Sequence, residues 1–325
     1  MSDLALFEEC AWFDADHRLE VVTVSGPDGL EFLQRLISCD LRRVTDEIGS
    51  RGTLLDSKGR IQAFFDVHRW AQCSHLVVDT ALAEVLRTRL ERLLILEDVS
   101  IESGELEVIS LQGPTSGGVI EQLGVDLPDT FLHSRAWKDG WIASRRRSLV
   151  AGFDLVIPRQ QLASVQQQLE SLGVSSCRAE DAERARIEAG LPRLGQEITE
   201  RSLPPEVGLN DSVSYDKGCY AGQEVLARIR TYGHVNRQMR RLHLELPEGF
   251  DSANVAVGDP LERVGDDGKP PGIITSMATS HGGFSLLASV KKTHIEVGTP
   301  LRWQGEADDG SELSMIGTVQ LPFQP

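Results

Sequence analysis

Val21-Val22-Thr23-Val24-Ser25-Gly26-Pro27 and, 87 positions later, Val108-Ile109-Ser110-Leu111-Gln112-Gly113-Pro114 are two copies of one pattern. In each, a run rich in β-branched residues predicts a strand, the Gly-Pro pair a turn, and the residues that follow a helix. Phe32, Leu33 and Leu36 supply the apolar face of the first helix, and Val119, Ile120 and Leu123 that of the second. Extended segments follow in both copies, at 61–67 and 75–79 in the first and at 141–144 and 153–157 in the second. Long helical patterns then run over 81–96 and 160–172. Strand, helix, two or three strands, helix, strand is the ferredoxin-like βαββαβ plan, and a chain that repeats it is expected to be an α+β protein with two such units.

Beyond Arg241 the texture changes to short alternating strands, punctuated by Gly265-Asp266-Asp267-Gly268, His281-Gly282-Gly283 and Asp308-Asp309-Gly310. A smaller echo, Val257-Gly258-Asp259-Pro260-Leu261 against Val297-Gly298-Thr299-Pro300-Leu301, lies within this tail. The expected product is a C-terminal antiparallel β-barrel. The expected division is therefore 1–104, 105–241 and 242–325, with strands free to exchange between the first two units.

Composition narrows the setting. A chain of 325 residues with 40% hydrophobic and 25% charged residues reads as an ordinary soluble globular protein. No apolar run reaches the length of a membrane span, and the first nine residues have no basic region leading into an apolar one, so a cytoplasmic location is expected. Cys10, Cys39, Cys73, Cys177 and Cys219 are scattered and never form a C-x-x-C pair, and the histidines show no ligand spacing, so no protein-bound metal is expected. The formal net charge of -16 argues against direct nucleic-acid binding, which needs cations to neutralise phosphates. One basic island interrupts the acidity. It comprises Lys217, Arg228, Arg230, Arg237, Arg240 and Arg241 against the single acid Glu224, a pattern suited to a small anionic ligand. Arg145-Arg146-Arg147 is a second basic run, read as a strand end or loop.

The densest chemistry lies in Lys217-Gly218-Cys219-Tyr220-Ala221-Gly222-Gln223-Glu224, followed by Ala227-Arg228. Gly218 and Gly222 bracket the thiol and allow a tight turn. An adjacent ammonium, Lys217, and the start of a helix at Gln223 would both favour a thiolate at Cys219. Tyr220 either stacks on an aromatic ligand or fills the core. Upstream, Glu188 ends a helical segment just before Gly190. A rigid carboxylate there could accept paired N–H bonds from a guanidine-like edge such as that of a pterin, or it could simply pair with Arg184 or Arg186.

Taken in order, Arg186-Ile187-Glu188-Ala189-Gly190-Leu191, Pro205-Glu206-x-Gly208-Leu209 and the Lys217–Arg228 motif resemble the YgfZ family of folate-binding proteins, relatives of the glycine cleavage T protein. Leu54-Leu55-Asp56-Ser57-Lys58-Gly59-Arg60-Ile61 is similar to a hairpin of that superfamily. The resemblance implies a three-lobed ring around a central tetrahydrofolate cleft. It implies as well a role in making or maintaining iron–sulfur enzymes, some of which modify tRNA. The implied partners are folate, iron–sulfur proteins and cluster-assembly factors. By position, Glu188 matches the carboxylate that reads the pterin edge, and Cys219 the thiol that marks this branch and would carry any chemistry. Lys217, Tyr220, Gln223, Glu224 and Arg228 are the accompanying cofactor-binding candidates, with Arg228 expected to clamp an anionic part of the ligand. Aminomethyltransferases of the superfamily carry a catalytic Asp where an ungapped count places Leu86, with Glu84 nearby but displaced. Aminomethyl transfer is thus the alternative reading rather than the leading one.

Overall fold

The structure is a computed structural model and describes residues 9–13, 19–128, 130–248, 250, 253–265, 268–307 and 310–322. The N-terminal stretch 1–8 and the aspartates of two expected turns, Asp266, Asp267, Asp308 and Asp309, lie outside these residues. The chain divides into two compact units: one holds the residues up to Asp181 together with Asn210–Arg228, and the other holds Ala182–Leu209 and the residues from Ile229 onward.

The first unit contains both copies of the repeated pattern, each built on its own sheet. In the first copy β2 (Leu19–Ser25), β3 (Ser50–Leu55), β4 (Ile61–Trp70), β5 (Cys73–Asp79) and β6 (Ser100–Ser103) form an antiparallel sheet in the order β3-β4-β5-β2-β6. Helix α1 (Gly29–Leu36) follows β2 and helix α2 (Thr80–Leu93) follows β5. The second copy uses β7 (Leu106–Gln112), β8 (Ser134–Trp137), β9 (Gly140–Ser144), β10 (Gly152–Pro158) and β11 (Ser175–Ser176), with α3 (Ser116–Gln122) and α4 (Leu162–Ser171). Its sheet has the order β11-β1-β7-β10-β9-β8, and the inserted strand β1 (Ala11–Phe13) comes from the very start of the described chain.

The helices form where apolar periodicity and capping agree. Leu82, Ala83, Leu86 and Leu90 bury one stripe of α2, and the Asp79 side chain accepts from the Ala81 N–H at 2.9 Å to cap its first turn, a contact worth about 1 kcal/mol. The Gly-Pro corners have a matching explanation. A Cβ at Gly26 would lie 2.3 Å from the Asp98 carbonyl oxygen, on the approach to β6, and one at Gly113 would lie 2.4 Å from that of Glu9, on the approach to β1. In each copy the chain entering the neighbouring strand presses on the corner. β1 therefore takes beside β7 the place that β6 takes beside β2.

The two sheets share a small core in which Val21 and Val77 meet Val108, Trp141, Ala143 and Val156. A buried polar seam runs beside it. Asp66 of β4 accepts from Arg145 at 2.6 Å and from Arg51 at 3.4 Å, Arg147 pairs with Asp154, and Phe131 lies under the guanidinium groups of Arg51 and Arg145. The flanking cations hold the Asp66 carboxyl well below its usual range despite its burial. The run Arg145-Arg146-Arg147 does leave the end of β9 as a loop, but two of its guanidinium groups turn inward to these aspartates.

In the second unit β12 (Arg237–Glu245), β13 (Pro260–Arg263), β14 (Gly272–Ser280), β15 (Gly283–Lys291), β16 (Pro300–Glu306) and β17 (Glu312–Thr318) form an antiparallel sheet in the order β12-β15-β14-β13-β16-β17. The expected barrel is a curled half-barrel: its outer strands β12 and β17 do not pair along their length, and among the described residues a single bridge joins Arg241 to Gln320, just past β17. Leu242, Leu244, Leu286, Leu301, Trp303 and Met315 fill the concave side. The two halves of the smaller sequence echo lead into β13 and β16, which pair with each other. Among the described residues no helix is long and apolar enough to cross a membrane.

Candidate functional site

The segment that leads into the cysteine motif is tied to the first sheet by backbone and side chain alike. Ser38 donates its hydroxyl to the Ser212 carbonyl at 2.5 Å and accepts the Ser214 N–H on its own carbonyl at 2.9 Å, while Arg51 reaches Asp211 at 3.0 Å. This fixes the chain before the first residue of the motif.

Lys217 extends that anchoring. Its Nζ donates to the carbonyl oxygens of Ile37 and Cys39, each at 2.7 Å, so the ammonium caps the C-terminal end of α1, where the helix dipole favours a cation. Loss of water around it lowers its pKa to about 8. It also lies 5.3 Å from the centre of the Tyr220 ring. The ammonium thus serves α1 and faces the buried thiol of Cys39, which burial pushes up to about 11. Tyr220 is buried, and its hydroxyl donates to the Ser214 carbonyl at 2.9 Å, so of its two expected uses it fills the core. Gln223 opens α6 (Gln223–Tyr232) and donates back to the Lys217 carbonyl at 3.3 Å.

The two glycines differ. Gly222 has φ of 79°, and its surroundings leave no room for a side chain, whereas Gly218 is open. Between them Cys219 is exposed, the one exposed thiol of the five. Glu224 and Arg228 pair with each other at 2.8 Å on the solvent face of α6, with 86% and 73% of their side-chain surfaces exposed. Arg228 is accordingly a surface ion pair and not an enclosed clamp. Beside the motif, Ala221 borders an open groove of about 600 Å³ whose other walls include Leu54, Leu55, Val85 and Leu93, with Arg89 and Arg92 at its edge. That volume falls in the range of small-molecule sites.

Glu188 belongs to the second unit, near the end of α5 (Ala179–Ala189). It accepts from Arg184 Nε at 2.8 Å and from the Ser285 hydroxyl at 3.3 Å, both on Oε1. The pairing with Arg184 is therefore real. It also braces the carboxylate while leaving Oε2 without a hydrogen-bond partner among the described residues. Arg186, named in the sequence only as part of a motif, is a buried hub that donates to Glu183, Gln196, Glu197 and Ser276. Nothing in the spacing of Arg184 and Arg186 shows which of them turns inward.

The basic island does not form one patch. Arg240 donates to the Ile295 and Met239 carbonyls and to Gln238, Arg241 donates to Gln320, and Arg237 donates to the carbonyls of Pro271 and Ser289. Among the described residues, the half-barrel engages all three guanidinium nitrogens of Arg240, but only one each of Arg237 and Arg241. Leu86, where the ungapped count set a leucine in place of an expected aspartate, is completely buried, and the nearby Glu84 is bound to Arg87 on the surface of α2.

The chain is similar to several known proteins. A tRNA-modifying protein YgfZ of Aliivibrio fischeri is 23% identical over 300 residues, covering 90% of this chain and 89% of its own. An aminomethyltransferase of Bordetella petrii is 26% identical over 277 residues, covering 79% of this chain and 72% of its own. The crystal structure of the glycine cleavage system aminomethyltransferase T from Bartonella henselae superposes with a TM-score of 0.83 at 21% identity, across 99% of this chain and 88% of that one, and so shares its mixed α/β fold. With the GCVT N-terminal domain family model matching residues 4–217, well over half of its length, the chain belongs to the GCVT N-terminal domain family.

Proposed function

We propose that the protein binds tetrahydrofolate, or a one-carbon derivative of it, and serves the synthesis or repair of iron–sulfur enzymes in the cytoplasm, with Cys219 as its reactive group. Its partners on this reading are iron–sulfur proteins and cluster-assembly factors, and any effect on tRNA modification arises through cluster-dependent enzymes. One observation carries the reading. In the motif, Lys217 is spent on two carbonyls, Tyr220 on the core and Gly222 on a close contact, while the thiol between them is left exposed. Anchoring of Lys217, Tyr220 and Gly222 around an exposed Cys219 supports a thiol held out for reaction.

The folate part is supported by Glu188, whose braced carboxylate keeps Oε2 open to accept an N–H from the pterin edge. The similarity to relatives named tRNA-modifying protein YgfZ along most of the chain supports the cellular role. We also read the two sheets of the first unit as elaborated ferredoxin-like units, each with an added edge strand, β3 in one and β8 in the other, and the second with β1 inserted as well.

Two measurements test the reading. Tetrahydrofolate should raise the melting temperature of the wild type in a saturable way and do so more weakly for Glu188→Ala. Cys219→Ala should melt as the wild type does yet fail to restore iron–sulfur enzyme activity in a bacterial strain lacking its own YgfZ protein. No folate-dependent shift would sink the first part, and full rescue by Cys219→Ala the second.

A second reading, folate-dependent aminomethyl transfer, is favoured by the similarity to the Bordetella petrii aminomethyltransferase. The buried Leu86 opposes it, as does the pairing of Glu84, the carboxylate that lines the groove beside the motif, with Arg87. A transfer assay with the other glycine cleavage components decides between the two.

A further inference from the structure

The second unit contains a cavity that the folate reading does not use. The segment 196–207 arches over β12, β14 and β15 and encloses about 260 Å³. Only Val207 and Met239 among its lining side chains are apolar; the rest are hydroxyls, an amide, two carboxylates and the guanidinium groups of Arg201 and Arg237.

The charges do not cancel. Glu197 is already matched by Arg186 at 3.1 Å, the Ser276 hydroxyl at 2.6 Å and the Arg193 N–H at 3.0 Å. Glu206 accepts from the Leu203 N–H at 3.0 Å, and with Glu197 matched from outside the cavity it is the one carboxylate set against the two guanidinium groups of Arg201 and Arg237. Arg237 donates only through Nη1, to two backbone carbonyls, so its Nε and Nη2 have no partner among the described residues. The exposed side chain of Arg201 likewise has none there. The cavity therefore keeps an excess of positive charge on a protein whose net charge is -16.

We propose that this cavity is a binding site for a small oxyanion, a metabolite bearing a carboxylate or phosphate group, held by Arg237 and Arg201. The guanidinium fork matches either group with two parallel N–H bonds, and the hydroxyls of Thr199 and Ser289 can supply further contacts, while those of Ser202 and Thr275 donate to the Glu197 and Leu287 carbonyls. The volume is the share of roughly nine water molecules, which suits a compact anion. The site is also distinct from Glu188. Arg237 stands four residues, roughly 13 Å, along β12 from Arg241, whose pKa burial lowers and the nearby Glu188 charge partly restores, and Met239 packs between them on Ile187 and Leu287.

The test is a thermal-shift titration of the full chain with inorganic phosphate and with succinate, against sodium chloride at matched ionic strength. A saturable rise with at least one oxyanion, absent with chloride, is expected. The two probes distinguish a phosphate-bearing ligand from a carboxylate-bearing one. Arg237→Gln should abolish the rise and Arg201→Gln weaken the apparent affinity at least five-fold, while the tetrahydrofolate-dependent shift stays as in the wild type. Arg201 is exposed and its side chain has no partner among the described residues, so Arg201→Gln remains informative even if Arg237→Gln unfolds. No saturable rise beyond the chloride control, or one unchanged in Arg201→Gln, overturns the proposal.

Discussion

Gly222 sits on the hairpin turn at Gly59 so closely that a Cβ placed on it would lie 2.6 Å from the Gly59 Cα. The contact joins the cysteine motif to the turn of the β3–β4 hairpin, two segments far apart in the sequence. Gly222→Ala must adopt φ of 79° and push against backbone on both sides, at a cost of roughly 2–4 kcal/mol. Gly218→Ala, which meets nothing within 4 Å, should stay within about 0.5 kcal/mol of the wild type. Calorimetric melting of the two variants provides the comparison, and equal melting temperatures would refute the packing argument.

The thiols should separate by exposure. In the native protein Cys219 should alkylate first with iodoacetamide, the half-buried Cys73 more slowly, and Cys10, Cys39 and Cys177 only on unfolding. Peptide mapping of the alkylated sites over time reads the order. Modification of Cys39 at the rate of Cys219 would contradict the burial of the thiol beneath Lys217.

Acid should loosen the first unit through two histidines. His68 and His75 face each other across β4 and β5 against Trp141, and burial holds both pKa values down to about 4. An unfolded chain takes up these protons near pH 6.5, whereas the folded one waits until about pH 4. Between those values the unfolded state binds more protons. Stability is therefore full above pH 6.5, falls as pH drops through the window, and loses on the order of 3 kcal/mol for each histidine by pH 4. His68→Phe should flatten part of this slope in urea unfolding measured from pH 7 to pH 4. An unchanged slope would show that other groups dominate.

Asp66 should be the most sensitive member of the polar seam. Asp66→Asn leaves Arg51 and Arg145 buried without their shared carboxylate, a change expected to cost about 3–5 kcal/mol. Chemical denaturation at neutral pH checks this, and a loss below about 1 kcal/mol would mean that water already reaches the seam.

Much of the first unit was legible because two periodicities repeat. The paired Gly-Pro corners, the strands at 61–67 and 153–157 and both long helices follow from apolar spacing that local rules govern. What stayed hidden depends on contacts distant in sequence. Strand β1 is three residues long and gives no periodic signal; it becomes a strand only because β7 supplies a partner. Asp66, placed inside the apolar run of β4, was itself a signal, since a buried carboxylate requires cations, and Arg145-Arg146-Arg147 held them. At the candidate site the motif stood out by its composition, but the division of labour within it did not. Lys217 looks like a partner for the adjacent thiol when read along the chain, and only the fold brings the Ile37 and Cys39 carbonyls within its reach.

Strand β1 also sets an order of events during synthesis. Trp12 pairs with Leu111 and Ser176, so the start of the chain leaves the ribosome about a hundred residues before its first partner strand exists. At ordinary elongation rates this is a wait of roughly 5–20 s. Throughout it the Ala-Trp-Phe segment is an apolar stretch without a sheet to join, while β2 to β6 can already pair with one another. The nascent chain therefore has an interval in which a chaperone that captures short aromatic segments would protect it, and in which crowding on a polysome would favour pairing between copies.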